Sequence, residues 1–117
     1  MGAVVRDGKG GYAAALSTGG TSIMLRGRVG DTAIIGAGLF AGPHGAVAAT
    51  GDGEEIMRRV LAKDVYDRLA AGVPAQKAAE KGIALFPNQF AVGIIAVAAT
   101  SEGIADNRTM PAARQYV

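Results

Sequence analysis

The order in which two kinds of hydrophobic pattern occur constrains this chain most. β-prone stretches lie at both ends and enclose one stretch of helical period. Residues 2–16 read as a hairpin. Gly2-Ala-Val-Val5 and Tyr12-Ala-Ala-Ala-Leu16 flank Asp7-Gly-Lys-Gly-Gly11, a turn rich in residues that tolerate positive φ. Residues 32–40 and 45–49 are two further strand candidates, divided by a Gly42-Pro43 turn. A helix is expected from about Glu54 to Ala71, where Ile56, Met57, Val60, Leu61, Val65 and Leu69 recur at helical spacing. Gly72 suits its end, and Pro74 suits the first turn of a second helix running to about Ala84. Residues 90–99 and 104–108 then pair around Ser101-Glu-Gly103. No pattern is legible from Pro111 onward, and no internal repeat or linker interrupts the chain. Strands, helices and strands in this order do not alternate as βαβ units do. The fold class that follows is α+β with antiparallel pairing, not a doubly wound parallel sheet.

The chain has 117 residues, the length of one domain. A domain of this size buries only about two-thirds of its unfolded surface, so a partner chain would add substantially to its stability. Its 18 glycines lie among Val, Ile and Ala runs, which favours packed strands over disorder. The net charge of +2 comes from interspersed signs with no basic stripe, so no nucleic-acid partner is expected. Without Cys, and with His44 as its single His, the chain has no motif for a metal or disulfide, and no cofactor is expected. No apolar run reaches membrane-spanning length, and no secretion signal is visible at the start, so no membrane role and a cytoplasmic location are expected.

Several short motifs admit both a chemical and a structural explanation. Gly36, Gly38 and Ala41 match the dinucleotide fingerprint after a strand, but Gly42-Pro43-His44-Gly45 blocks the helix that must follow. Glycines that let backbones approach closely explain them better. Thr50-Gly-Asp-Gly53 precedes a helix, where backbone N–H groups can hold a developing oxyanion. The plainer alternative is a cap by Asp52 or Thr50. Arg28 offers a planar fork for a carboxylate, and Asp31 an acceptor for an ammonium; together they could grip an amino acid, or simply pair with each other. Ser17, Thr18, Thr21 and Ser22 around Gly19-Gly20 could orient a nucleophile or form a polar turn. His44 reads as exposed or packed in its loop. Glu54/Arg58, Glu55/Arg59 and Asp64/Arg68 read as i,i+4 ion pairs on a solvated helix face.

Taken in order, these motifs resemble the β-subunit of plant-type L-asparaginases and isoaspartyl peptidases. The specific part is Ser17-Thr-Gly-Gly20, Gly27-Arg-Val-Gly-Asp31, Ile34-Ile-Gly-Ala-Gly38 and Thr50-Gly-Asp-Gly-Glu54. Gly2-Ala-Val-Val, Gly93-Ile-Ile-Ala-Val97 and Asn107-Arg-Thr-Met110 extend the likeness to most of the chain. The resemblance implies a four-layer αββα sandwich of the N-terminal-nucleophile hydrolase type. Residues 1–117 would form one β-subunit, completed by an α-subunit of the same precursor in an (αβ)₂ assembly. The implied reaction is hydrolysis of L-asparagine or of β-aspartyl peptides, small-molecule substrates. A Thr freed by self-cleavage would be the nucleophile, and it is expected immediately before Met1. By the same resemblance Thr18 tunes that nucleophile, Arg28 binds the substrate α-carboxylate and Asp31 its α-ammonium. Thr50 and the Gly51 N–H form the oxyanion hole, and the Gly53 backbone helps bind the amine. Ile23-Met-Leu-Arg26 and Ala33 depart from the family pattern without touching these positions. The alternatives are an inactive amino-acid-binding or structural relative, and glycosylasparaginase.

Overall fold

The computed structural model describes residues 1–116. Its strands are β1 (Gly2–Arg6), β2 (Tyr12–Leu16), β3 (Leu39–Gly42), β4 (Gly45–Gly51), β5 (Val92–Val97) and β6 (Glu102–Asp106). Its helices are α1 (Gly53–Arg59), α2 (Leu61–Ala70) and α3 (Ala75–Ile83), with a 3₁₀ turn at Asp31–Ala33. β1 and β2 form a two-stranded sheet, and β3-β4-β5-β6 a four-stranded one. Every strand pair is antiparallel, so the α+β class holds.

Three layers follow from which side chains each face of the larger sheet buries. Val47 and Ala49 of β4, with Val92, Ile94 and Ala96 of β5, pack into one core with Leu61, Val65 and Leu69 of α2 and Ala78 and Ala79 of α3. The alternate β4 residues, Ala46 and Ala48, are also buried but lie outside that core. They face the β1–β2 hairpin, whose Gly2 lies against Ala48. β4 is thus covered on both faces, which explains its unbroken run of small apolar residues. Full burial of side chains such as Ile94, Leu61 and Val65 contributes about 1.5–3 kcal/mol each. The outer edge of β6 is partly closed by Gln76, whose side-chain amide donates to the Ile104 carbonyl and accepts from its N–H, both at 3.0 Å.

The hairpin differs. The register pairs Ala3 with Ala15 and Val5 with Ala13, and all four are exposed on the face turned away from the larger sheet. Both faces of the hairpin are therefore apolar, and one is uncovered.

Two expected elements are not formed as the sequence suggested. The strand expected over residues 32–40 is mostly a loop, and only its end enters β3. Gly36, at φ +96°, turns this loop so that the carbonyls of Gly36 and Ala37 accept from the N–H groups of Lys63 and Ala62 at 2.8 and 3.0 Å. Those are orphan donors of the first turn of α2, so the loop caps that helix. Of the apparent dinucleotide fingerprint, Gly36 serves this cap, while Gly38 lets its backbone approach the Asp31 carbonyl. The single helix expected from Glu54 to Ala71 is broken at Val60, which adopts a left-handed conformation (φ 47°, ψ 49°). Apolar periodicity continues across the break and conceals it.

The ion pairs are corrected as well. Glu54 pairs with Arg28, not Arg58, while Arg58 lies 3.4 Å from Glu55. Glu55–Arg59 and Asp64–Arg68 form as expected, at 2.6 and 2.9 Å. Neither Asp52 nor Thr50 caps α1 with its side chain. The Asp52 carboxylate instead accepts from the Ala91 N–H at 2.5 Å, tying the start of α1 to β5. His44 is exposed in the turn between β3 and β4, and its N–H donates to the Tyr66 hydroxyl at 3.4 Å. Among the described residues no helix is long and apolar enough to cross a membrane.

Candidate active site

One cleft opens where the hairpin meets the end of β4, and five of the six residues singled out from sequence line it: Thr18, Arg28, Asp31, Thr50 and Gly51. Met1 and Ser17 also border it. Gly53 is not part of the wall. It is buried directly behind the Arg28 and Asp31 side chains, and a Cβ there would come within 2.8 Å of Asp31 Oδ1 and 2.9 Å of Arg28 Nη2. Glycine is required at position 53 because the two charged groups occupy the volume of a side chain.

The cleft walls have different origins. Thr50 and Gly51 end β4, opposite Gly93 and Val92. Gly51 has φ +139°, and a Cβ would run into the Ala91 carbonyl, so this backbone also demands glycine. Asp31 opens the 3₁₀ turn, and its backbone carbonyl accepts from the N–H groups of Ile34 and Gly38 at 3.0 and 3.1 Å. The opposite wall belongs to the hairpin and the loop after it. Met1 and Ser17 extend the β1–β2 ladder: the Met1 amine donates to the Ser17 carbonyl at 2.8 Å, and the Ser17 N–H to the Met1 carbonyl at 2.9 Å. Thr18 Oγ1 accepts from the Gly20 N–H at 3.0 Å, which leaves the hydroxyl proton free to donate.

Charge is distributed unevenly in the cleft. Asp31 is 7% exposed, and its Oδ2 has no hydrogen-bond partner. Burial pushes its carboxyl above the ordinary range. The backbone N–H groups of Asp31 and Thr32 and the nearby Arg28 charge pull the other way. An unpartnered buried carboxylate oxygen is costly, and an ammonium group is the ligand that would relieve it. Arg28 is held by a bidentate contact, Nε to Glu54 Oε1 at 2.7 Å and Nη2 to Oε2 at 3.0 Å. That contact raises the guanidinium pKa and lowers that of Glu54. Spacing gave no sign of this partner, since Glu54 lies 26 residues from Arg28. The cleft therefore holds a cation and an anion side by side, threonine hydroxyls that include those of Thr18 and Thr50, and the Met1–Ser17 rung of a strand ladder.

The model of the family described as Asparaginase matches residues 1–117. An isoaspartyl peptidase/L-asparaginase of Xenopus laevis is 44% identical over 84 residues, covering 71% of this chain and 27% of that protein. A plant-type L-asparaginase of Pyrococcus horikoshii is 42% identical over 111 residues, covering 92% of this chain and 36% of its own length. An N(4)-(β-N-acetylglucosaminyl)-L-asparaginase of Elizabethkingia miricola is 38% identical over 84 residues, covering 71% of this chain and 25% of that protein. The chain thus spans between a quarter and about a third of the length of these relatives. With the whole chain matched by the family model, and with the clamp and threonine positions gathered in one cleft, this chain belongs to the asparaginase family.

Proposed function

We propose that this chain is the β-subunit part of an amidohydrolase that hydrolyses L-asparagine or β-aspartyl peptides, with a threonine directly before Met1 as nucleophile. The juxtaposition of Arg28 and the unpartnered Asp31 in one cleft carries the proposal. A free amino acid presents a carboxylate and an ammonium on one carbon, and these two side chains complement them. The ladder supports the position of the nucleophile. Met1 and Ser17 exchange both backbone hydrogen bonds, and one more residue on this register stands opposite Thr18. Such a pair is of the non-hydrogen-bonded kind, whose side chains lie closest.

In the mechanism, the threonine hydroxyl attacks the side-chain amide carbon while its freed α-amine takes the proton. Thr18 donates a hydrogen bond to the nucleophile. The Thr50 hydroxyl and Gly51 N–H stabilise the oxyanion, ammonia or the peptide amine leaves with a proton, and water then hydrolyses the ester. The remaining protein would come from an α-subunit of the same precursor, supplying the fourth layer of an αββα sandwich in an (αβ)₂ assembly. The uncovered apolar face of Ala3, Val5, Ala13 and Ala15 supports such a cover.

The test is to express the full-length protein and follow cleavage ahead of Met1, together with ammonia release from asparagine and aspartate release from β-aspartyl peptides. Replacing the preceding threonine by alanine should abolish cleavage and both activities. A full-length protein that neither cleaves there nor releases either product sinks the proposal.

A further inference from the structure

We propose that Glu54 is a positioning residue that keeps the Arg28–Asp31 clamp from closing on itself. Arg28 and Asp31 are three residues apart and both lie over Gly53. Opposite charges so placed would be expected to pair, yet among the described residues Arg28 forms its ion pair with Glu54 and none with Asp31. The geometry explains this. Glu54 takes the Nε and Nη2 edge of the guanidinium with both carboxylate oxygens. Among the described residues Nη1 makes no hydrogen bond, and Arg28 lines the cleft, which leaves Nη1 as the donor for a second carboxylate. Asp31 Oδ2 in turn stays without a partner.

Most exposed ion pairs contribute little, and Glu54 is 56% exposed at its side chain. This pair is an exception on two grounds. The contact is fork on fork, the strong form of the interaction. The Arg28 side chain is only 17% exposed, so its rotamers are already restricted. Glu54 also reaches Arg28 from the first turn of α1, one residue after Gly53 and three after Gly51. The same short turn thus sets the clamp and one wall of the cleft.

This role rests on the proposed amino-acid-binding function, and the test separates the two. Succinate carries the carboxylates of aspartate but no ammonium, so its affinity reports on the Arg28 contact without the contact between Asp31 and the ammonium. Binding of aspartate and of succinate to the full-length, self-cleaved protein is followed by NMR titration. The proteins are the wild type, Glu54→Ala, Asp31→Asn and the Asp31→Asn/Glu54→Ala double variant.

In the Asp31-containing protein, Glu54→Ala lets Arg28 turn onto Asp31, and succinate affinity should fall about tenfold. In the Asp31→Asn background there is no anion to turn onto, and the same change should cost less than about threefold. The coupling, the ratio of the two losses, should thus exceed about threefold. Two results overturn the role while the binding function stands: a Glu54→Ala protein that binds succinate as the wild type does, or an equal loss in both backgrounds, which marks Glu54 as merely structural. A self-cleaved wild type that binds neither aspartate nor succinate overturns the functional proposal and this role with it.

Discussion

The β1–β2 hairpin and the helix–sheet unit behind it are built from similar residues and end in different states. The strands of both are rich in Ala and Val. In β4 and β5 most of those residues are buried, β4 between the helices and the hairpin. In the hairpin the same composition leaves Val5 at 55% exposure with Ala3, Ala13 and Ala15 around it. A continuous small-apolar strand implies cover on both sides. The helix–sheet unit has that cover within the chain, and the hairpin does not. The cleft lies on the seam: Asp31, Thr50 and Gly51 belong to the closed unit, whereas Met1, Ser17 and Thr18 belong to the open one. Half of the candidate site is thus held by a closed core, and half by an element with one exposed apolar face.

The largest effect that tests this contrast comes from paired substitutions. Ile94→Ala removes a side chain that is 2% exposed, and it should lower stability by about 2–5 kcal/mol in a denaturant titration of the 117-residue chain and of the full-length protein alike. Val5→Asp should behave differently in the two. In the 117-residue chain its effect should stay within about 0.5 kcal/mol, as for other exposed positions. In the full-length protein it would place an unpaired charge under the proposed α-subunit and should cost several kcal/mol. Equal, small effects of Val5→Asp in both proteins would mean that nothing covers the hairpin.

A smaller effect probes how the closed unit is joined to the cleft. Val60 ends α1 and begins α2 in a left-handed conformation that a β-branched residue adopts at a cost of about 1–3 kcal/mol. Val60→Gly removes that strain, loses some backbone entropy, and should raise stability by about 0.5–1 kcal/mol in thermal unfolding. A loss instead would show that the contact between Val60 and the Gly36 loop outweighs the strain.

Val60 also shows what was and was not legible in the sequence. The hairpin, β4, α3 and the β5–β6 pair follow from local pattern and turn residues, and the structure places them within a few residues. The break at Val60 does not, because a left-handed residue is normally betrayed by glycine and here the helical periodicity runs on through Leu61 and Val65. The stretch 32–40 reads as a strand because Thr32, Ile34, Ile35 and Phe40 are β-prone. It became a loop because its carbonyls are needed at the start of α2, a demand set 25 residues away. The candidate site residues stood out through the order of their motifs, which resembles the family's, whereas spacing alone left Arg28 and Asp31 equally open to pairing with each other. Glu54 was assigned to Arg58 because i,i+4 is the only pairing that spacing reveals; its contact with Arg28 is tertiary.

The smallest effect belongs to Asp31, where the closed unit meets the ligand. Its carboxyl is pushed up by burial, partly offset by the neighbouring N–H groups and Arg28, with Glu54 adding to the rise. A carboxyl whose folded pKa is raised binds its proton more tightly folded than unfolded. Its contribution favours the folded state below the unfolded pKa and is lost as pH rises through the folded one. Ligand-free stability should therefore decline slightly as pH rises from the ordinary aspartate range through that raised value. Asp31→Asn should remove this slope in denaturant titrations across pH. Aspartate affinity should move in the opposite sense, because only the ionised carboxylate holds the ammonium. It should weaken as pH falls through the raised value, and in Asp31→Asn it should be weak and flat over the same window. If stability and affinity changed with pH in the same direction, or if Asp31→Asn kept the affinity profile, Asp31 would belong with the structural side of the seam and not with the ligand.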